Sequence, residues 1–128
     1  MNCPFCNFDA TRIVWESDLA LAISDAFPIS EGHTLVVPRQ HAACLFELPA
    51  AVQEELWRVV SCVRESLKNS LHPDGFNVGL NDGSAAGQTV GHAHIHVVPR
   101  FVGDVDDPRG GVRWVIPSKA NYWQGTEE

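Results

Sequence analysis

The chain of 128 residues lacks the features of membrane, nucleic-acid-binding and repeat proteins. No apolar run approaches the roughly 18 residues that a membrane-spanning helix needs, so we expect no association with a membrane. Only nine Lys and Arg residues, scattered singly, stand against sixteen acidic residues, and the net charge of −7 would repel a nucleic-acid backbone. Internal repeats, low-complexity tracts and linker-like stretches are also missing. The sequence therefore predicts one globular domain that binds neither nucleic acid nor membranes.

Signals for export and for disulfide bonding are absent as well. Residues 1–4 lack the basic segment and apolar stretch of a signal peptide, so we expect a cytoplasmic protein and no disulfide framework. Cys44 and Cys62 stand singly among apolar neighbours, where cysteine usually acts as a small core residue. Cys3 and Cys6 form a C-x-x-C pair, which is typical of a metal site or a redox site. A redox pair is expected after a strand at a helix start, and no strand is predicted before this one.

Apolar periodicity predicts an α+β domain. A long helix is predicted between Pro49 and His72, because apolar residues recur there at the i, i+3, i+4 spacing of a helical face. The residues after 100 are predicted to be irregular. We expect an antiparallel sheet of about five strands that carries the helix. The predicted strands are residues 12–16, 19–24, 33–38, 76–80 and 92–99.

The last predicted strand carries three histidines at a two-residue spacing. Successive side chains of a strand point to opposite faces, so His92, His94 and His96 are expected on one face. Ala93 and Ile95 would lie on the other face and indicate the core, so the histidine face should open onto a site. Imidazole supplies nucleophiles, acids and hydrogen-bond donors near neutral pH. A zinc site for part of the motif and a solvated row of histidines are the alternatives.

These histidines and their surroundings resemble the histidine triad (HIT) family, whose signature is His-φ-His-φ-His-φ-φ with φ an apolar residue. Residues 92–98 (HAHIHVV) match this signature throughout. Residues 81–91 (NDGSAAGQTVG) resemble the phosphate loop of the family, and residues 32–41 (GHTLVVPRQH) are similar to its strand-and-turn element. The resemblance covers most of residues 3–100.

The resemblance implies the overall organisation of the protein. Residues 1–128 would form a single HIT domain, with a core at 3–100 and a C-terminal tail at 101–128. The HIT-like fold has one long helix and a short one beside the antiparallel sheet. In the family the sheet extends across a homodimer, so we expect a homodimer here.

The resemblance also implies a nucleotide hydrolase or transferase. It would cleave a purine nucleotide conjugate, a diadenosine polyphosphate or a nucleoside phosphoramidate, at the α-phosphate and release AMP. His94 would attack phosphorus and form a nucleotidyl-histidine, with its second nitrogen held protonated by a backbone carbonyl. His96 and Gln88 would donate hydrogen bonds to the phosphate oxygens, and His33 would orient the triad. This chemistry requires no catalytic metal.

Further nucleotide-binding positions follow from the same resemblance. Asp25 would accept hydrogen bonds from the ribose hydroxyls, Thr89 would help to hold the phosphates, and Asn81 would lie near the nucleotide. Read without the family, Asp25 and Asn81 are ordinary turn residues. In the tail, Arg109 and Arg113 would either meet a second phosphate or be surface cations.

The resemblance implies that the C-x-x-C pair is part of a structural zinc site. Many bacterial-type members bind zinc through two cysteines, a histidine of the strand-and-turn element and the first triad histidine. Here those ligands would be Cys3, Cys6, His41 and His92, a closed Cys₂His₂ set.

Two classes of function stay open at this point. The first is the nucleotidyl hydrolase or transferase, and the second is a non-catalytic nucleotide-binding or protein-interaction module of the same fold. The presence of His94, His96 and Gln88 favours the enzyme, because a site without catalysis has no physical need for the nucleophile. A uridylyltransferase-like activity on sugar phosphates is disfavoured by the single small domain.

Overall fold

The computed structural model describes residues 3–123 and confirms the α+β class. The five strands are β1 (Ile13–Glu16), β2 (Ala20–Ser24), β3 (Thr34–Pro38), β4 (Gly75–Gly79) and β5 (Ile95–Arg100). They form one antiparallel sheet in the order β1-β2-β3-β5-β4. The long helix α1 (Ala50–Leu71) connects β3 to β4, and the short helix α2 (Pro117–Ala120) lies in the C-terminal segment.

Helix α1 covers one face of the sheet. It begins after Pro49, and it ends at His72, whose backbone adopts the left-handed conformation with φ of 53°. The apolar residues that predicted the helix face the sheet, and burying each of them contributes about 1.5–3 kcal/mol. The buried members of this face are Val52, Leu56, Val59, Val60 and Val63.

The opposite face of the sheet is covered by the N-terminal segment, residues 3–12. Phe5 and Phe8 pack there against a smaller apolar cluster on β2 and β3. His96 of β5 pairs with Leu35 of β3, so its side chain lies on this same face. The N-terminal segment and the histidines therefore share one side of the sheet, away from α1.

Strand β5 begins at Ile95, so the prediction that it starts at His92 is wrong. Only His96 of the three histidines lies within the strand. The ladder does not extend to His92 because Pro38, at the end of β3, has no backbone N–H to donate. The Pro38 carbonyl instead lies 2.9 Å from Nε2 of His92. Ala93 and Ile95 are nevertheless buried against α1, as the alternation predicted.

The C-terminal segment folds back against the sheet. Besides α2 it contains a short 3₁₀ helix, Gly111–Val115, where the sequence predicted irregular structure. Arg100 and Asp104 form an ion pair at its start, with Nε and Oδ2 2.7 Å apart. Within residues 3–123, no helix has the length and apolar character needed to cross a membrane.

Candidate active site and metal cluster

Two cysteines and two histidines meet where the N-terminal segment crosses the end of β3. A tight turn, in which Cys6 N donates to Cys3 O, brings the C-x-x-C pair together. Cys3 Sγ lies 3.4 Å from His92 Nδ1, and Cys6 Sγ lies 3.2 Å from His41 Nδ1. The two Nδ1 atoms are 3.1 Å apart, and all four candidate ligand atoms lie within 4.8 Å of one another. The structure thus brings together the four residues predicted to bind zinc.

The orientation of His92 fits metal binding. Its Nε2–H donates to the Pro38 carbonyl, which leaves the lone pair of Nδ1 directed at the cysteines. Burial lowers the pKa of His92 although the hydrogen bond to the Pro38 carbonyl acts in the opposite direction, and the nearby His41 and His94 lower it further. The neutral form required of a ligand is therefore favoured. Two thiolates and two imidazoles make a closed set of the kind that holds structural zinc.

His94 is held in the tautomer that a nucleophile needs. The residue is only 8% exposed, and its ring lies edge-on to Phe5, with ring centroids 4.9 Å apart. Nδ1 lies 2.9 Å from the backbone carbonyl of His92 and can only donate to it. The neutral ring therefore carries its proton on Nδ1 and keeps a free lone pair on Nε2, as the chemistry of a nucleophilic imidazole requires.

A chain of hydrogen bonds fixes the proton of His96. Ile29 N donates to His33 Nδ1 across 3.2 Å, so neutral His33 carries its proton on Nε2. That nitrogen lies 2.9 Å from Nδ1 of His96 and 3.3 Å from Oδ2 of Asp25. His96 therefore accepts at Nδ1 and presents Nε2–H as a donor.

His33 and His96, the two histidines of this hydrogen-bond network, are neutral at pH 7. Burial, followed by the neighbouring His94 and His33, lowers the pKa of His96 from 6.5 to about 4. Burial also lowers the pKa of His33, although Asp25 acts in the opposite direction. A neutral His96 remains a hydrogen-bond donor because its tautomer is fixed, so it can bind a phosphoryl oxygen without carrying a charge.

Most of the predicted nucleotide-binding residues line one cavity of about 300 Å³. His33 lies behind His96 and outside the lining, where it contacts the ring of His96 as a positioning residue. The predicted residues that line the cavity are Asp25, Asn81, Thr89, His94 and His96.

Gln88 is placed differently from the other predicted residues. Its Nε2 donates to the carbonyls of Ala43 and Val90, both at 2.9 Å, and its Oε1 accepts from Gly83 N at 2.9 Å. The side-chain amide is thus engaged with the backbone and does not line the cavity around His94. In this structure Gln88 holds the loop between β4 and β5, and its contact with phosphate stays a prediction.

Among the lining residues that were not predicted from the sequence, three are aromatic or charged. Phe5 and Phe27 line it with aromatic rings, and Arg12 brings a guanidinium that also donates to the Ser24 carbonyl. Phe27 is 86% exposed, so its ring is accessible to a ligand in the cavity. Neither periodicity nor spacing singles out these positions, because each lies far in sequence from the triad histidines, His92, His94 and His96.

The two arginines of the tail are engaged within the tail. Arg109 forms an ion pair with Asp107 at 3.0 Å and stacks on Trp123, with Cζ 4.6 Å from the ring centre. Arg113 donates to the backbone carbonyls of Lys119 and Ala120. The sequence left two roles open for these arginines, contact with a second phosphate or surface cations. Because both contact other residues of the tail, the structure favours the second role.

Comparison with known proteins agrees with this geometry. The HIT domain model matches residues 9–103. An uncharacterized HIT-like protein of Saccharolobus solfataricus is 40% identical over 108 residues, covering 81% of this chain and 78% of that protein. The adenylylsulfatase HINT3 of Arabidopsis thaliana is 34% identical over 103 residues, which are 77% of this chain and 52% of that protein. This chain thus spans about half the length of HINT3.

Solved structures are similar too. A zinc-bound histidine triad family protein of Mycobacterium smegmatis superposes with a TM-score of 0.73 at 38% identity. The match covers 80% of this chain and 77% of that one. The fold and site define a histidine triad protein. The chain belongs to the HIT domain family, whose fold is that of nucleotide-binding proteins and hydrolases. The zinc-bound relative and the Cys/His cluster together support a structural zinc in this protein.

Proposed function

We propose that this protein is a nucleotidyl hydrolase or transferase that acts at the α-phosphate of a purine nucleotide conjugate and releases AMP. The observation that carries the proposal is the orientation of His94, whose Nδ1–H is held by the His92 carbonyl while Nε2 is free beside a cavity. Diadenosine polyphosphates and nucleoside phosphoramidates are the candidate substrates. The name of the relative HINT3, an adenylylsulfatase, supports an adenylyl group as the part of the substrate that is transferred.

In the first step, His94 Nε2 attacks the α-phosphorus and forms an N–P bond. The bond from phosphorus to the leaving group breaks on the opposite side, and the departing atom takes a proton from solvent. The His94 ring becomes positively charged, and the His92 carbonyl at 2.9 Å stabilises that charge through the Nδ1–H. His96 donates its Nε2–H to a phosphoryl oxygen, where negative charge accumulates.

In the second step, water attacks phosphorus and the N–P bond breaks. The electron pair returns to His94 Nε2, AMP is released, and the proton from water passes to solvent. Splitting the reaction in this way replaces one difficult displacement by two easier ones. The reaction needs no metal at the phosphorus.

The cavity supplies groups for the nucleoside. Asp25 uses Oδ1 to accept from Phe27 N at 2.8 Å and directs Oδ2 at His33. A carboxylate has about four acceptor positions, so two remain for the ribose hydroxyls. Phe5 and Phe27 offer apolar surface to a base, and Thr89 offers a hydroxyl to the phosphates.

The test is release of AMP from diadenosine tetraphosphate and from adenosine phosphoramidate by the purified protein. His94→Asn should lower kcat by at least about 10³-fold, because the nucleophile is lost. His72→Asn is the matched control, since His72 is exposed and its left-handed backbone conformation suits asparagine.

Two outcomes would count against this mechanism. Full activity in His94→Asn would require a different nucleophile. Binding of AMP without turnover of any conjugate by the wild-type protein would favour the non-catalytic nucleotide-binding module.

We also propose that the protein is a homodimer joined through the edge strand β4 and helix α1. Val78 on β4 and Trp57 on α1 are 42% and 40% exposed, which leaves apolar surface on both elements. Light scattering should give twice the mass of the chain, and a monomer at micromolar concentration would contradict the proposal. A cytoplasmic location stays a prediction.

A further inference from the structure

A row of paired residues crosses the sheet from His96 to the start of β1. His96 on β5 pairs with Leu35 on β3, and Leu35 pairs with Ile23 on β2. Ile23 in turn pairs with Ile13 on β1, which directly follows Arg12. Neighbouring strands lie about 4.8 Å apart, so the backbone of Ile13 lies roughly 14 Å from that of His96. Arg12 therefore approaches the cavity of about 300 Å³ from the side opposite to His96.

The guanidinium of Arg12 is fixed at the end of β2. Its Nε and Nη2 donate to the Ser24 carbonyl at 3.0 and 2.7 Å, so both bonds lie on one edge of the group. The hydrogens of Nη1 and the second hydrogen of Nη2 remain, and Arg12 forms no ion pair within residues 3–123. Because the guanidinium is planar, one remaining hydrogen on each Nη points in the same direction. Arg12 can therefore offer two parallel donors to a ligand.

Arg12 is also the source of positive charge in this cavity. Among the described residues that line it, no other Lys or Arg is present. Asp25 directs Oδ2 toward His33 on the histidine side, whereas the guanidinium reaches the cavity from the β1 side. With the α-phosphate at His94 and the ribose at Asp25, the base would occupy the part of the cavity farthest from phosphorus. That part of the cavity is where Arg12 lies.

The aromatic groups of the cavity do not distinguish one purine from another. Phe5 and Phe27 offer ring surface, and every base has a π-face that such rings can contact. Two parallel N–H donors do discriminate, because guanine and hypoxanthine present two adjacent acceptors, O6 and N7, on one edge. Adenine presents N7 beside its N6 amino group, which is itself a donor and faces the guanidinium unfavourably.

We propose that Arg12 is a specificity residue that binds the O6/N7 edge of a 6-oxopurine, so that the protein prefers guanosine conjugates to adenosine conjugates. This inference rests on the proposed function for its chemistry, and it extends that function from release of AMP to release of GMP. Arg12 takes no part in bond breaking, because it lies at the end of the cavity away from phosphorus. A bidentate contact of this kind discriminates against the wrong base by about tenfold or more.

The experiment compares the phosphoramidates of guanosine, inosine and adenosine monophosphate. The conjugates share the phosphorus and the leaving group, so kcat/KM differs only through the base. We expect the wild-type protein to cleave the guanosine and inosine conjugates at least about tenfold more efficiently than the adenosine conjugate. The 7-deazaguanosine conjugate, which lacks one of the two acceptors, should lose part of this advantage. Equal or better cleavage of the adenosine conjugate, or an undiminished advantage of the 7-deaza compound, would overturn the inference.

Two substitutions of Arg12 test the donors themselves. Arg12→Met removes them, and Arg12→Lys keeps the charge without the planar pair, so both should reduce the guanosine-to-adenosine ratio toward one. Arg39→Met is the matched control, because Arg39 also donates to a backbone carbonyl, that of Ser17, but does not line the cavity. A wild-type ratio in either Arg12 variant, or an equal reduction in Arg39→Met, would contradict the assignment. An equal loss for all conjugates in Arg12→Met would indicate contact with phosphate instead of the base.

Binding of GMP and AMP separates this inference from the proposed function. Calorimetry on the wild-type protein should show GMP binding at least about tenfold more tightly than AMP, and Arg12→Met should abolish the difference. If no conjugate is hydrolysed but this difference holds, the proposed activity fails and the role of Arg12 stands. If conjugates are hydrolysed without preference for either base, the proposed activity stands and the role of Arg12 fails.

Discussion

His92 joins the metal cluster to the nucleophile through two of its own atoms. Its side-chain Nδ1 lies 3.4 Å from Cys3 Sγ, while its backbone carbonyl lies 2.9 Å from Nδ1 of His94. A shift of His92 that includes its backbone would therefore move the carbonyl that holds the proton of His94. The predicted zinc ligands have no contact with phosphorus in the proposed mechanism, yet we expect them to influence the geometry of the attacking ring through His92.

Loss of zinc should consequently reduce both stability and turnover. Cys3→Ala removes a buried ligand, and we expect it to lower the bound zinc, decrease kcat and lower Tm by at least about 10 °C. Zinc content is measured by atomic emission and Tm by calorimetry. Cys44→Ala is the control, because Cys44 lies outside the cluster and should retain its zinc. Full zinc occupancy in Cys3→Ala would show that the cluster is not the site.

His33 should act by positioning His96. In His33→Ala, His96 Nδ1 loses its donor, so the proton of His96 is no longer confined to Nε2. We expect kcat to fall by about 10- to 100-fold with little change in KM, because the loss affects mainly the transition state. His33→Gln, whose amide can donate to the same nitrogen, should recover part of the rate. A change confined to KM would indicate direct contact of His33 with the substrate.

Acid should destabilise the folded protein through His33 and His96. Both have a pKa below the usual 6.5 in the folded state, that of His96 being about 4, so the unfolded chain binds more protons. The free energy of unfolding should thus fall as the pH is lowered from about 6.5 to about 4. His96 alone contributes about 1 kcal/mol of this loss at pH 5, after allowance for its partial exposure.

Urea unfolding at pH 7 and pH 5 measures this effect. His96→Asn should lose less stability between the two pH values than the wild-type protein, since asparagine does not titrate. His72→Asn should lose as much as the wild-type protein. An identical loss in all three proteins would mean that His96 keeps its usual pKa in the folded state.

Gln88 offers a test of two roles for one side chain. If its amide holds the loop between β4 and β5, Gln88→Ala should destabilise the protein by about 1–2 kcal/mol and speed hydrogen exchange at Gly83 N. If its main role is contact with phosphate, kcat/KM should fall while the stability and exchange of the free protein stay unchanged. Gln40→Ala, at an exposed position after β3, controls for loss of an amide.

The sequence predicted best those features that depend on local pattern. The apolar spacing located α1, and the alternation of histidine with apolar residues indicated which side chains pack against α1. The start of β5 could not be found in this way, because it depends on Pro38, whose missing N–H limits a strand more than fifty residues away in the chain. Strand boundaries set by a neighbouring strand leave no periodic signal at the boundary itself.

The site shows the same division between motif and packing. The zinc ligands and His94 are parts of recognisable motifs, and the structure brings them together. The role of Gln88 was not predictable, because a side-chain amide can form hydrogen bonds with backbone groups and with phosphate oxygens equally well. A cavity of about 640 Å³ between β4, β5 and the C-terminal segment was missed because its C-terminal wall, which includes Val112 and Trp114, is exposed and has no periodicity.

The family match ends near the start of the C-terminal segment. Residues 9–103 match the HIT domain and include the three histidines of the triad. Val112 and Val115, which line the cavity of about 640 Å³, lie beyond that boundary. Replacement of the C-terminal segment would thus change one wall of this cavity and leave His94 and the carbonyl that binds its Nδ1–H in place.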